Sequence, residues 1–329
     1  MEKSIMSMQA LIGNDHSDPE TKIVGNLPRC KSKLFSGKPD ALRRRTILRA
    51  LAEKDDNVQF QAGLLYLNPS LIKPNHAKAA TWFLKSARNG NAQAQYNLGL
   101  LYMSGKGVKK DPSAALHWFA LSAQGGVCEA QNNLGVMYER GVGVEADHEQ
   151  AFHWFELAAV NGLPKAQFNI GSMYAVGRGV PQDLAQAFFW FCKAAEQGHR
   201  KAQYNVAYAF ANGVGVAANP YQAERWFEQL AKDGDANFQI ELGLRFYAGT
   251  GVPKDYDKAA FWLCRAAKQG SSRALYNLAM LHFSGKAMRI NKKTAVRLVR
   301  LAAERGYPKA QAFLCSNGEQ TSSKNYRSI

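Results

Sequence analysis

The chain has 329 residues, 46% hydrophobic and 21% charged, with a formal net charge of +16. No apolar run approaches the ~18 residues that would span a bilayer, and the first residues lack the apolar core of a secretory signal. The five cysteines are odd in number and far apart, which argues against a disulfide framework and for a reducing, cytoplasmic setting.

Residues 1–40 show no hydrophobic period and are expected to be disordered. Residues 41–55, containing ALRRRTILRALA, read as a degenerate amino-terminal capping helix. From residue 56 a period takes over. Every tryptophan (Trp82, Trp118, Trp154, Trp190, Trp226 and Trp262) stands 36 residues after the last, and glycine ladders such as Gly90, Gly126 and Gly162 keep the same step. Seven units begin at residues 56, 92, 128, 164, 200, 236 and 272.

The third unit reads CEAQNNLGVMYERGVGVEADHEQAFHWFELAAVNGL. Leu134, Met137 and Tyr138 fall at helical spacing in its first half, and Gly141-Val-Gly143-Val breaks that helix. Asp147, repeated as Asp111, Asp183, Asn219, Asp255 and Asn291, suits the N-cap of a second helix carrying Ala151, Trp154 and Phe155. Each unit is therefore a helical hairpin. Small residues recur where two helices must approach, and the tryptophans are expected to be the large core knobs, with Trp154→Ala costing about 3–5 kcal/mol. One hairpin cannot bury its apolar face alone, so the units must stack. Residues 308–314 read as an extra first helix, the solenoid is expected over 56–315, and 316–329 form a polar tail.

The motif A-x-x-Q-x-N-L-G-x-x-Y-x-x-G-x-G-V-x-x-D-x-x-x-A-x-x-W, nearly whole in units two to four, resembles Sel1-like repeats, relatives of tetratricopeptide repeats. That resemblance implies an all-α fold: a right-handed α/α solenoid of about seven 36-residue hairpins with degenerate caps. It also implies a scaffold or adaptor in bacterial signalling or complex assembly, with a host-directed bacterial effector as a further alternative.

By analogy with tetratricopeptide repeats, positions 2, 5, 9 and 12 of each first helix face a concave groove. The candidates for holding a peptide or helix there are Tyr96, Leu100, Met103, Asn132, Glu139, Lys165, Phe168, Lys201, Tyr204, Tyr208 and Tyr247. The same helical period equally fits packing of the aromatic positions in a core.

Charge is uneven. Residues 272–329 hold 11 basic and 2 acidic side chains, and Lys286, Arg289, Lys292, Lys293, Arg297 and Arg300 form a basic patch. This end could solvate a cap or take an acidic partner, whether an acidic protein, nucleic acid or anionic lipid. Nucleic acid is disfavoured because no binding motif is present and few aromatics interleave with the charges. No HExxH, CxxC or G-x-S-x-G occurs, the histidines are scattered, and the G-x-G-V loops lack the GK[ST] of a phosphate loop. The sequence therefore points to no enzyme, metal or cofactor.

Overall fold

In the computed structural model, residues 55–69, 73–232, 234–285 and 291–316 are described, and these are all-α, without a strand. The expected disordered segment, the amino-terminal capping helix up to residue 54 and the tail from residue 317 lie outside them. The helices run in chain order as α1 (Asp56–Leu65), α2 (His76–Arg88), α3 (Ala92–Ser104), α4 (Pro112–Gln124), α5 (Cys128–Arg140), α6 (His148–Val160), α7 (Pro164–Val176), α8 (Leu184–Glu196), α9 (Arg200–Asn212), α10 (Pro220–Lys232), α11 (Ala236–Ala248), α12 (Tyr256–Lys268), α13 (Ser272–Ser284), α14 (Lys292–Glu304) and α15 (Pro308–Ser316). Odd and even helices pair into hairpins, and the hairpins form an all-α solenoid. The chain divides into two compact units, one ending at Gln197 and the other beginning at Gly198.

The helix ends follow local chemistry. The Asp147 carboxylate accepts from the Glu149 and Gln150 amides, each at 3.0 Å, and Asp111, Asp183, Asn219, Asp255 and Asn291 cap their helices in the same way. At the other end of α5, Gly141 takes φ +68° and its N–H returns to the Met137 carbonyl. Gly143 is required for a different reason. A Cβ there would lie 2.7 Å from the backbone of Pro112, at the start of the preceding hairpin's second helix, so the loop closes on its neighbour only because the side chain is absent.

The core corrects the expectation about tryptophan. The fully buried knobs are the residues just after each tryptophan: Phe83, Phe119, Phe155, Phe191, Phe227 and, after Trp262, Leu263. Trp118, Trp154, Trp190 and Trp226 are only partly buried, whereas Trp82 and Trp262 are buried. One residue along a helix turns the side chain by about 100°. The phenylalanine therefore points at the first helix of its own hairpin, and the tryptophan lies to one side of that contact.

The glycines of the first helices sit beneath these rings. A Cβ at Gly99 would lie 2.7 Å from the Phe119 ring, and one at Gly135 would lie 2.6 Å from that of Phe155. Such a contact is far inside van der Waals range, so glycine here permits close approach of two helices.

Successive hairpins are tied by buried amides. Gln95, Gln131 and Gln167 donate through Nε2 to the Ala87, Ala123 and Ala159 carbonyls near the end of the preceding second helix, at 3.1, 3.2 and 3.2 Å. Gln239 and Gln311 repeat this toward Ala231 and Ala303. Each bond adds a second donor to a carbonyl that already accepts the N–H of the turn glycine, as Ala123 does from Gly126. Towards the carboxy terminus, Ala310 and Leu314 of α15 join Val299, Ala302 and Ala303 in one apolar cluster.

Candidate protein-interaction surface

The candidate surface is carried by the first helices, whose position-5 residues rest on the buried phenylalanine of their own hairpin. Ring centroids are 5.9 Å apart for Tyr96 on Phe119, 5.7 Å for Phe168 on Phe191 and 5.8 Å for Tyr204 on Phe227. Aromatic pairs at such spacing stabilise by area burial and ring electrostatics. The position-5 ladder is therefore engaged in packing, with only its edge available to solvent.

Burial separates the predicted residues into two groups. Tyr96, Leu100, Met103, Asn132 and Tyr208 are buried and present no open face. Phe168, Tyr204, Tyr247 and Glu139 are partly exposed, and Lys165 and Lys201 are exposed. The usable contact surface is thus narrower than the helical period implied. The cause is the packing of a first helix such as α5 against the second helices of its own and the preceding hairpin.

Within the first unit, α3, α5 and α7 bring several of these groups together. The Tyr96 hydroxyl bonds to the Asn133 side chain, and burial, with the nearby Glu129 carboxylate, pushes the Tyr96 phenol well above its ordinary value. Asn169 donates to Asn132 Oδ1 at 3.0 Å. Partial burial draws the Lys165 ammonium below the ordinary lysine value, against the opposing pull of Glu129. Farther along, Arg178 meets Glu139 at 3.5 Å. The result is a packed floor of aromatic and amide groups, with charged side chains above it.

In the second unit, Tyr247 lies 5.6 Å from Tyr256, and Tyr204 neighbours a group that sequence reasoning missed. Arg245 is buried, donates from Nε to Glu241 at 3.0 Å and from a terminal nitrogen to the Thr250 carbonyl at 3.3 Å, and stacks 4.4 Å from the centre of the Phe227 ring. The signal was in the register. Leu65, Leu101, Met137, Met173, Ala209 and Leu281 hold the equivalent position in the other repeats. A charge there needs partners, and Glu241 replaces the usual asparagine one turn before it to provide one.

The carboxy-terminal patch is a separate surface. Lys292, Lys293, Arg297 and Arg300 are exposed on α14, while Lys286 and Arg289 lie outside the described residues. Among the described residues, no group of three His, Cys, Asp or Glu side chains could hold a metal ion, and no helix is long and apolar enough to cross a membrane. Burial, with help from Glu196, pushes the Cys192 thiol up to about 11, so it is a poor nucleophile at neutral pH.

Comparison with known proteins agrees with this construction. The Sel1 repeat model matches residues 57–91, 92–127, 128–163, 164–199, 200–235, 236–271 and 272–307 without a gap. The crystal structure of c5321, described as a protective antigen present in uropathogenic Escherichia coli strains and displaying an SLR fold, is 31% identical, with a TM-score of 0.75 over 85% of this chain and 61% of that one. This chain thus spans about three-fifths of that protein's length. A Sel1 repeat protein from Oxalobacter formigenes is 29% identical, with a TM-score of 0.63 over 96% of this chain and 86% of that one. No curated protein matches. Seven consecutive Sel1 repeats from residue 57 to residue 307 show that the chain belongs to the Sel1 repeat family.

Proposed function

We propose that this protein is a non-enzymatic interaction scaffold that takes a peptide or helix on the exposed face of its first helices. Sel1-repeat proteins generally mediate protein–protein interactions. The observation that carries the reading here is a division of labour within the register. Positions used for packing keep their type through repeats one to five: buried alanine, glutamine and phenylalanine. Position 2 lies at the surface and changes its charge, with Glu129, Lys165 and Lys201 all exposed. A repeat scaffold can encode partner choice only at positions its core does not use. Within each unit a half-exposed aromatic stands one helical turn from a lysine, Phe168 from Lys165 in the first and Tyr204 from Lys201 in the second, and apolar area next to charge suits an amphipathic segment with acidic groups. Service as an adaptor in bacterial signalling or complex assembly is part of the same proposal.

Placing a photo-crosslinking amino acid at Lys165 or Lys201 of the full chain tests this in bacterial lysate. The same protein partner should be captured at both positions and not from exposed Lys109, which lies in a loop between hairpin helices. Equal capture from Lys109, or none from Lys165 and Lys201, would overturn it.

A further inference from the structure

The second helices carry one exposed position pattern that differs between repeats more sharply than any other. On α6, Glu149, His153 and Glu156 are exposed at i, i+4 and i+7, which places them on one helix face. Four repeats later, the same register positions on α14 hold Lys293, Arg297 and Arg300, also exposed. At this register no other repeat carries two like charges: the triplets are Ala77/Thr81/Leu84, Ser113/His117/Ala120, Ala185/Phe189/Cys192, Tyr221/Arg225/Glu228 and Asp257/Phe261/Cys264. The third repeat is acidic throughout, with six carboxylates against one arginine in residues 128–163, while residues 272–307 hold eight basic side chains against Glu304 alone. Among the described residues no ion pair engages Glu149, Glu156, Lys293 or Arg297.

We propose that the acidic face of α6 and the basic face of α14 are the two halves of a contact between copies of this chain. The two faces have equal span, seven residues or about 10.5 Å of helix, so docking one helix against the other forms both outer charge pairs together. In an antiparallel arrangement Glu149 meets Arg300 and Glu156 meets Lys293. Leu157 and Val160, 36% and 72% exposed near Glu156, add exposed apolar area. The net charge of +16 repels whole molecules at long range, but screening confines that repulsion to about 8 Å at physiological salt, within which the local pairs dominate. The contact joins unlike patches, so a single such contact is heterologous and closes into a ring or grows by addition.

The test is sedimentation velocity of the full chain across a concentration series. Reversible association is expected at about 50 mM salt, weakening roughly tenfold by about 500 mM. Arg297→Glu/Arg300→Glu and Glu149→Lys/Glu156→Lys change only exposed side chains, and circular dichroism confirms that each variant folds. Each alone should be monomeric, because in the first the α14 face turns net negative and keeps only Lys293, and in the second both faces are basic. An equal mixture of the two should associate again, since the basic faces of one meet the acidic faces of the other. A wild-type chain that stays monomeric at low salt, or a mixture that fails to associate, would overturn the proposal. Association that survives in Glu149→Lys/Glu156→Lys but not in Arg297→Glu/Arg300→Glu would overturn it too, assigning the basic helix to a different acidic partner.

Discussion

Repeats one to four and repeats five and six solve the same packing problem in different ways. In the first four, glycine on the first helix lies under a phenylalanine ring, and the neighbouring core positions are apolar. In the fifth, Ala207 replaces that glycine and is fully buried, opposite a hairpin partner whose Phe227 ring is covered by Arg245. In the sixth, Gly243 is kept, but Leu263 replaces phenylalanine, and a Cβ at residue 243 would lie 2.8 Å from it. The interhelical contact therefore tolerates several residue pairs provided the local volumes match, and the later repeats accept a buried charge because its hydrogen bonds are made.

The sharpest way to break this comparison is to remove the shared knob. Phe155→Ala should cost about 3–5 kcal/mol in denaturant unfolding, because the ring is fully buried and Gly135 cannot fill the cavity. Trp154→Ala, one residue away, should cost about 2 kcal/mol, since its side chain is only partly buried. If the tryptophan proved the costlier of the two, the assignment of phenylalanine as the central knob would fail.

A smaller effect sharpens the contrast between the two groups of repeats. Gly135→Ala should destabilise by about 1–2 kcal/mol despite the better helix propensity of alanine, because the added methyl must displace the Phe155 ring. Ala207→Gly, the reverse change in the fifth repeat, should also destabilise, by about 1–2 kcal/mol, through a lost buried methyl and a more flexible helix. Stabilisation by either change would show that the two repeats do not differ in volume as described.

The smallest effect appears in alkali. Burial raises the Tyr96 phenol above its ordinary value of about 10, so the fold favours the neutral form. Its contribution is fully present below about pH 10. Above that, the unfolded chain releases the proton while the folded chain keeps it, and stability declines with rising pH until the folded tyrosine titrates. Tyr96→Phe should lower stability at neutral pH by about 1 kcal/mol, through loss of the bond to Asn133, and flatten the alkaline decline. An unchanged slope between pH 9 and 12 in chemical-denaturation curves would show that Tyr96 is not the buried acid.

The hairpins, their boundaries and their caps were legible in the amino-acid order, because each depends on local requirements. A carboxylate or amide satisfies free N–H groups at Asp147 and Asn291, and glycine reaches positive φ at Gly141. The periodic tryptophans were equally visible, but their role was misread. The choice between Trp154 and Phe155 as the buried knob depends on a rotation of one residue against the partner helix, and a shared period carries no information about it. The candidate surface was legible only as far as exposure is local: Lys165 and Lys201 are exposed, whereas Tyr96, Leu100 and Asn132 are covered by neighbouring helices. Arg245 shows the same limit, because its anomalous register is visible in the chain but its partners Glu241, Thr250 and Phe227 meet only in the fold. The sequence by itself thus determined the repeat, the turns and the charge of each segment, all of which rest on near-neighbour chemistry. Tertiary structure alone decided which side chains the stacked helices bury and which stay exposed, because burial depends on residues of other helices, as with Phe155 over Gly135 and Asn169 bonded to Asn132.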